Sequence, residues 1–246
     1  MPQPLIIPAD WSLPKEFRER IGTSVGRQRL MQSGNEILLL GHMVPEPGEH
    51  SRRGILFWRN ANGEWKASNG DPGEQAIAMH LDRYSKKIDE YEAKEAKAQT
   101  SDEYLPMLEG MSPIVRSIRN LLEVMEEARK AIPGDRSLID HRDRAYDLSR
   151  QADLLYDDAK NSMDVAVVRR AEEQARASHQ MTWSAHRLNI MAALFFPFAT
   201  LGAIFGTTLT DNWSWSHFYE PFAIFLIGGL IAGTILAFFV SRPMKK

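Results

Sequence analysis

The hydrophobic and polar positions divide the chain into a mixed first part and a strongly apolar last quarter. Residues 189–209 carry no charged side chain over 21 positions, and residues 221–240 carry none over 20. At 1.5 Å rise per residue each run makes a helix about 30 Å long, the thickness of a bilayer's hydrocarbon core. Residues 210–220 separate them, which predicts a tight transmembrane hairpin with both of its ends on one side of the membrane. The competing reading is a pair of buried core helices, although uncharged runs of this length are rare in soluble cores.

Ahead of that hairpin the periodicity changes twice. Residues 26–70 alternate apolar and turn-forming stretches, which predicts a small antiparallel meander: strands over 28–32, 36–43, 54–59 and 64–67. Ser33-Gly34-Asn35 and Asn60-Ala61-Asn62-Gly63 mark its turns. The second strand is apolar enough to be covered on both faces. Trp58 and Trp65 fit either a binding surface or sheet core against helices. From Glu74 onward the spacing is helical, with Asp71 as an expected cap and Pro72 in the first turn. Glu90 and Lys94 are spaced for an i,i+4 pair. A second helix starts at Ser101-Asp102-Glu103, with a stripe of Tyr104, Leu108, Met111, Val115, Ile118, Leu122 and Met125, and Ile132-Pro133-Gly134-Asp135 stops it.

From Ser137 no Gly or Pro occurs until Pro197. Leu138, Ala145, Leu148, Ala152, Leu155, Ala159, Ser162 and Ala166 make a 3-4 seam of small residues. One continuous helix over residues 135–206 is expected, roughly 105 Å long. Such a helix needs sibling helices and copies of itself to cover it.

Composition and charge sharpen this picture. The 246 residues carry a net charge of -2, so no nucleic-acid footprint is expected, and there is no cysteine for disulfides or thiolate metal sites. Mean hydropathy is negative despite the apolar tail, so the first 185 or so residues make a polar domain. The start of the chain lacks the basic and apolar regions of a cleavable signal peptide. Arg169, Arg170, Arg176 and Arg187 precede the first run, and Arg242, Lys245 and Lys246 follow the second, whereas the loop holds only Asp211 and Glu220. The positive-inside rule places both termini in the cytoplasm. Trp213, Trp215, Phe218 and Tyr219 in the loop suit a membrane interface. The expected class is an α+β cytoplasmic head, a small antiparallel sheet plus helices, whose very long stalk helix continues into the hairpin. Its segments are residues 1–73 (β-rich), 74–133 (helical hairpin), 134–188 (stalk), 189–209 and 221–240 (the spans), 210–220 (external loop) and 241–246 (basic tail). No GxSxG, P-loop or HExxH occurs, so no enzyme and no small organic substrate are expected.

Arg187-Leu188-Asn189-Ile190-Met191-Ala192-Ala193-Leu194-Phe195-Phe196-Pro197-Phe198-Ala199-Thr200-Leu201-Gly202-Ala203-Ile204-Phe205-Gly206 resembles, without a gap, the first span of the CorA family of divalent-cation channels. The mid-span proline and the closing glycine match. The architecture is similar over the whole chain, the sequence over about 25 residues. The family's Gly-Met-Asn signature is replaced by Gly206-Thr207-Thr208, so a Thr hydroxyl stands where the family's Asn is thought to hold a hydrated cation. Mg²⁺ gives up its waters reluctantly, so outer-sphere contact to such a hydroxyl is chemically sensible.

The resemblance implies a homopentamer in the inner or plasma membrane, with the first span around the axis and Mg²⁺ or a related divalent cation as the permeant and regulatory ion. The pore face would then run through Ser178, Thr182, Ala185, Asn189, Ala192, Phe196, Ala199 and Ala203 to Thr208. Phe196 becomes a hydrophobic gate, or packs on the second span; Asn189 and Thr182 become polar rings, or Asn189 bonds a neighbouring helix. Asp211 and Glu220 either draw cations to the outer mouth or are solvated loop charges. Carboxylates such as Asp157 and Asp158, in the acidic series with Asp140, Asp143, Asp147 and Asp153, either hold regulatory Mg²⁺ between heads, as the family does, or form a solvated face with intrahelical Arg partners. His179 and His186, seven apart, either make a ring at the inner mouth or are interfacial polar residues. The alternative to a channel is a non-conducting membrane-anchored scaffold or regulator of the same fold.

Overall fold

The computed structural model describes residues 7–49, 51–205 and 220–241. The elements run α1 (Lys15–Arg20), β1 (Arg29–Ser33), β2 (Glu36–His42), β3 (Gly54–Arg59), β4 (Trp65–Ala67), α2 (Ala76–Glu95), α3 (Ser101–Ala131), α4 (Ser137–Phe205) and α5 (Glu220–Ser241). Backbone contacts group the chain into two units, Met1–Val168 and Arg169–Lys246. The division falls inside α4, which is one helix of 69 residues.

In the first unit the four strands form an antiparallel meander in the order β1-β2-β3-β4. Gly34 and Gly63 take positive φ of 59° and 88° at the two tight turns, where a Cβ would be strained. Asn60 organises the second turn: its Oδ1 accepts from the backbone N–H of Asn62 at 3.0 Å and of Glu64 at 2.9 Å.

The apolar run of β2 is covered on both sides because its alternate residues enter two different cores. Ile37 and Leu39, with Ile55 and Phe57 of β3, face the helices α2 to α4. Leu38 and Leu40, with Leu56 and Trp58, face the N-terminal segment, where Trp11 and Leu13, ahead of α1, and Phe17 within it close the other side. Trp58 is core: it is 4% exposed, packs at 5.7 Å against the tilted ring of Trp11 and donates its indole N–H to Glu36 Oε2 at 2.9 Å. Trp65 is partly buried against the helical side.

α2 begins at Ala76 with Gln75 preceding it and no side-chain cap. Asp71 does not cap it; its carboxylate pairs instead with Arg83 at 2.8 Å. The Glu90–Lys94 pair does not form either: Glu90 pairs with Lys87 at 3.3 Å, and the Lys94 ammonium sits 4.8 Å from the centre of the Tyr91 ring. α3 starts with a capping box, in which Glu103 Oε2 accepts from the Thr100 N–H at 3.1 Å. Its buried positions include Tyr104, Leu108, Met111, Val115, Ile118 and Met125, and also Met107, Ile114, Leu121 and Val124. The stripe is wider than a single seam because α3 packs on the sheet as well as on α2. Asp135 opens α4, accepting from Ser137 N–H at 3.1 Å and Oγ–H at 2.6 Å. Leu138, Ala145, Leu148, Ala152 and Ala159 of α4 are buried, with Leu155 and Ala166 partly buried against the same core.

In the second unit α4 and α5 are each long and apolar enough to cross a membrane. Only 6% and 11% of their apolar windows are buried, which is the opposite of what core helices show.

Candidate functional site

The apolar part of α4 has two unlike faces. One packs on α5. Leu194, Phe198 and Leu201 meet α5 where it carries Gly228, Gly229 and Gly233 in place of side chains. A Cβ on Gly229 would lie 2.7 Å from the Phe198 ring, so only glycine admits this approach. The Phe198 ring also meets Phe225 edge-on at 5.9 Å. Pro197 is buried near this contact; lacking an N–H, it leaves the Ala193 carbonyl without its usual helical donor.

The other face holds Thr182, Ala185, Asn189, Ala192, Phe196, Ala199 and Ala203, all exposed on the single chain. At 3.6 residues per turn they lie roughly opposite the α5-packed positions. Phe196 does not pack on α5; it is 69% exposed, and Phe198 makes that contact instead. Thr182 hydroxyl donates to the Ser178 carbonyl at 2.9 Å, and Thr200 does the same to Phe196 at 2.9 Å, so both hydroxyls satisfy the helix's own carbonyls. Gly206, Thr207, Thr208 and Asp211 lie outside the described residues, as does the side chain of Glu220.

On the head, Asp157 and Asp158 are exposed on α4. Among the described residues no group of three or more His, Asp or Glu side chains is placed to hold a metal ion. Two of the other acids are in ion pairs: Asp153 with Arg119 of α3 at 2.8 Å and Asp143 with its neighbour Arg142 at 2.9 Å. The first of these joins two helices, where intrahelical partners were expected. His179 is exposed and His186 partly buried, and no third ligand joins them among the described residues.

The head also holds a buried polar chain that no sequence pattern marks. Gln28 Nε2 donates to the Ser117 carbonyl at 2.8 Å and hydroxyl at 3.1 Å. Tyr84 O–H donates to the His42 carbonyl at 3.2 Å. With that proton committed, the 2.6 Å Tyr84–Ser117 contact requires Ser117 O–H to be the donor. His42 Nε2 is 2.8 Å from the Gly26 carbonyl and so carries its proton there. Burial pushes the His42 imidazole below its ordinary value, Gly26 acts the other way, and nearby Arg52 adds to the depression. Beside this chain His80 is enclosed between Phe57 and Tyr84, with neither ring nitrogen hydrogen-bonded. Burial lowers its pKa to about 4, reinforced by the charge of Arg83. Tyr84, by contrast, is held well above the ordinary phenol value by burial.

Next to His42 and Ser117 a cleft of about 230 Å³ opens between the β2–β3 connection and α3. Arg52 and Arg53 come from the connection; Pro113, Arg116, Ser117 and Asn120 come from one face of α3.

No protein-family model matches the chain, and no curated protein matches it. Among solved structures, one described as the structure of the full-length CmaX protein is 13% identical, with 94% of this chain and 81% of that chain covered and a TM-score of 0.56. Another, the complete structure of the CorA magnesium transporter from Methanocaldococcus jannaschii, is 14% identical over 87% of this chain and 78% of that one, with a TM-score of 0.47. At 13% identity the likeness to the first is one of fold, and this chain shares that fold.

Proposed function

We propose that the chain is an oligomeric membrane channel or transporter for cations, divalent ones such as Mg²⁺, whose pore is lined by the apolar part of α4. The observation that carries the reading is the unoccupied face of that helix. Asn189, Ala192, Ala199 and Ala203 lie away from α5 and are exposed on the single chain. Small residues let helices approach one another in a bilayer, and an Asn facing lipid is costly. Such a face is suited to copies of the same helix around a water-filled axis. The large exposed side chains of α5, such as Leu226, Leu230 and Phe239, suit lipid. The gapless resemblance around Pro197 points the same way and supplies the homopentamer and the cytoplasmic termini.

In this arrangement Phe196 forms the narrow apolar ring and Asn189 and Thr182 form polar rings for a hydrated ion; Gly206, Thr207 and Thr208 form the mouth, with Asp211 and Glu220 outside it. Asp157 and Asp158 are the carboxylates for a regulatory divalent ion between heads. No catalytic chemistry is assigned. The second reading, a non-conducting scaffold of the same fold, is favoured by Thr208 standing where the resembled family has Asn.

Because the chain has no cysteine, single thiols report cleanly. Ala199→Cys should react with a charged, membrane-impermeant thiol reagent and crosslink between copies, whereas Leu226→Cys on α5 should do neither. Equal inertness of the two would remove the pore face.

A further inference from the structure

We infer that the head carries an anion site in the cleft between the β2–β3 connection and α3, built for a phosphate group as inorganic phosphate or a small phosphomonoester. Three guanidinium groups, those of Arg52, Arg53 and Arg116, line it against one carboxylate, Glu49. Glu49 is already committed: its Oε1 accepts from Arg53 Nε at 2.8 Å and its Oε2 from Arg53 Nη2 at 3.4 Å. Arg52 and Arg116 have no carboxylate partner among the described residues. Arg116 makes only a long 3.4 Å bond to the Ser112 carbonyl within its own helix.

Two cations facing one small cleft repel each other, and a multivalent anion between them reverses the sign of that interaction. The planar fork of an arginine matches the paired oxygens of a phosphate, and the Asn120 amide at the rim adds a further donor. The floor supplies no donor of its own, because the Ser117 hydroxyl proton is used by Tyr84 and the His42 Nε2 proton by Gly26, so the anion is held by the arginines and the Asn120 amide. The volume of about 230 Å³ is below the range of about 300–1,000 Å³ that holds drug-sized ligands, which points to a compact anion. Pro45 from the connection and Pro113 from α3 supply apolar lining against which the carbon part of an ester can lie. Through Ser117 and His42 the cleft abuts the buried hydrogen-bond chain that joins β2, α2 and α3. An occupied cleft would therefore bias the packing of the head.

The test is calorimetric titration of the full chain in detergent with inorganic phosphate and with glycerol 3-phosphate, at constant ionic strength set with chloride. Saturable binding at one site per chain is expected. Arg52→Gln and Arg116→Gln should each weaken it about tenfold or more, with Arg→Lys at the same positions losing less. Arg119→Gln, whose side chain pairs with Asp153 outside the cleft, should leave it unchanged. Tighter binding of inorganic phosphate identifies the free ion, and tighter binding of the ester identifies the apolar wall as part of the site. Both native side chains are exposed, so the glutamine variants retain the fold, which their ligand-free thermal midpoints verify. Absence of saturable binding for both probes, or unchanged affinity in both glutamine variants, would overturn the site. The readout involves no flux, so the site and the pore are judged separately.

Discussion

Gly233 of α5 lies so close to Leu194 of α4 that a Cβ there would sit 2.7 Å from the Leu194 carbonyl oxygen. Backbone cannot retreat as a flexible side chain does, so any larger residue must push the two helices apart. Gly233→Ala should therefore destabilise the pair by about 1–3 kcal/mol. Gly228→Ala, where the new methyl meets Leu201 at an ordinary 3.8 Å, should change stability by less than about 0.5 kcal/mol. Thermal midpoints of the full chain in detergent compare the two, and equal midpoints would refute this helix contact.

His80 should make the head acid-sensitive well above the carboxylate range. Its folded pKa is lowered to about 4, so the folded protein stays neutral there while the unfolded chain takes up a proton near the ordinary value of 6.5. The sign follows: stability is unaffected above about pH 6.5, falls as pH drops from there, and levels off below about pH 4. The full loss is about 3 kcal/mol from this residue. His80→Phe removes the titration and two buried, unbonded nitrogens, so denaturant midpoints should lose most of their slope between pH 6.5 and 4. His42 and His141, also depressed by burial, keep a residual slope. An unchanged slope in His80→Phe would show that its imidazole is not buried neutral.

Asp135 holds the start of α4 and the sheet together. Its Oδ2 accepts from Arg59 Nε at 2.9 Å, with both side chains largely buried, while its Oδ1 takes the Ser137 donors. Burial acts to raise its pKa, but the Ser137 hydroxyl and the Arg59 guanidinium outweigh it and hold the carboxyl below the usual range. The stability this gives is fully present above the unfolded carboxyl value near 4 and is lost as pH falls through the lower folded value. Asp135→Ala should cost about 3–5 kcal/mol, because it leaves the Arg59 charge buried and the helix uncapped. Asp135→Asn should cost less, keeping the cap, and should flatten the stability profile below pH 4. Chemical denaturation across pH compares the three proteins.

Much of the fold was legible because it depends on local regularities. An uninterrupted apolar run over Ile37 to Leu40 suits a strand covered on both faces, and the absence of Gly and Pro between Ser137 and Pro197 leaves nothing to end a helix there. The structure departs from the local pattern where a residue has two possible partners. Asp71-Pro72 has the form of a helix start, but tertiary packing gives that carboxylate to Arg83 and delays α2 to Ala76. Lys94 was claimed by the Tyr91 ring in preference to Glu90. The buried chain of Gln28, His42, Tyr84 and Ser117 had no signal at all. Its members are separated by as many as 89 positions, and only the packing of the sheet on α3 brings them together. The candidate pore face was legible as a spacing, whereas Gly206, Thr207 and Thr208 fall outside the described residues.

The most direct measurement is Mg²⁺ entry into liposomes that hold the full chain and enclose a Mg²⁺-sensitive dye. The account predicts a signal above that of empty vesicles when Mg²⁺ is added outside, and a faster one for Phe196→Ala, which opens the apolar ring. A reconstituted oligomer that gives no signal beyond empty vesicles, with either side chain at position 196, would contradict it.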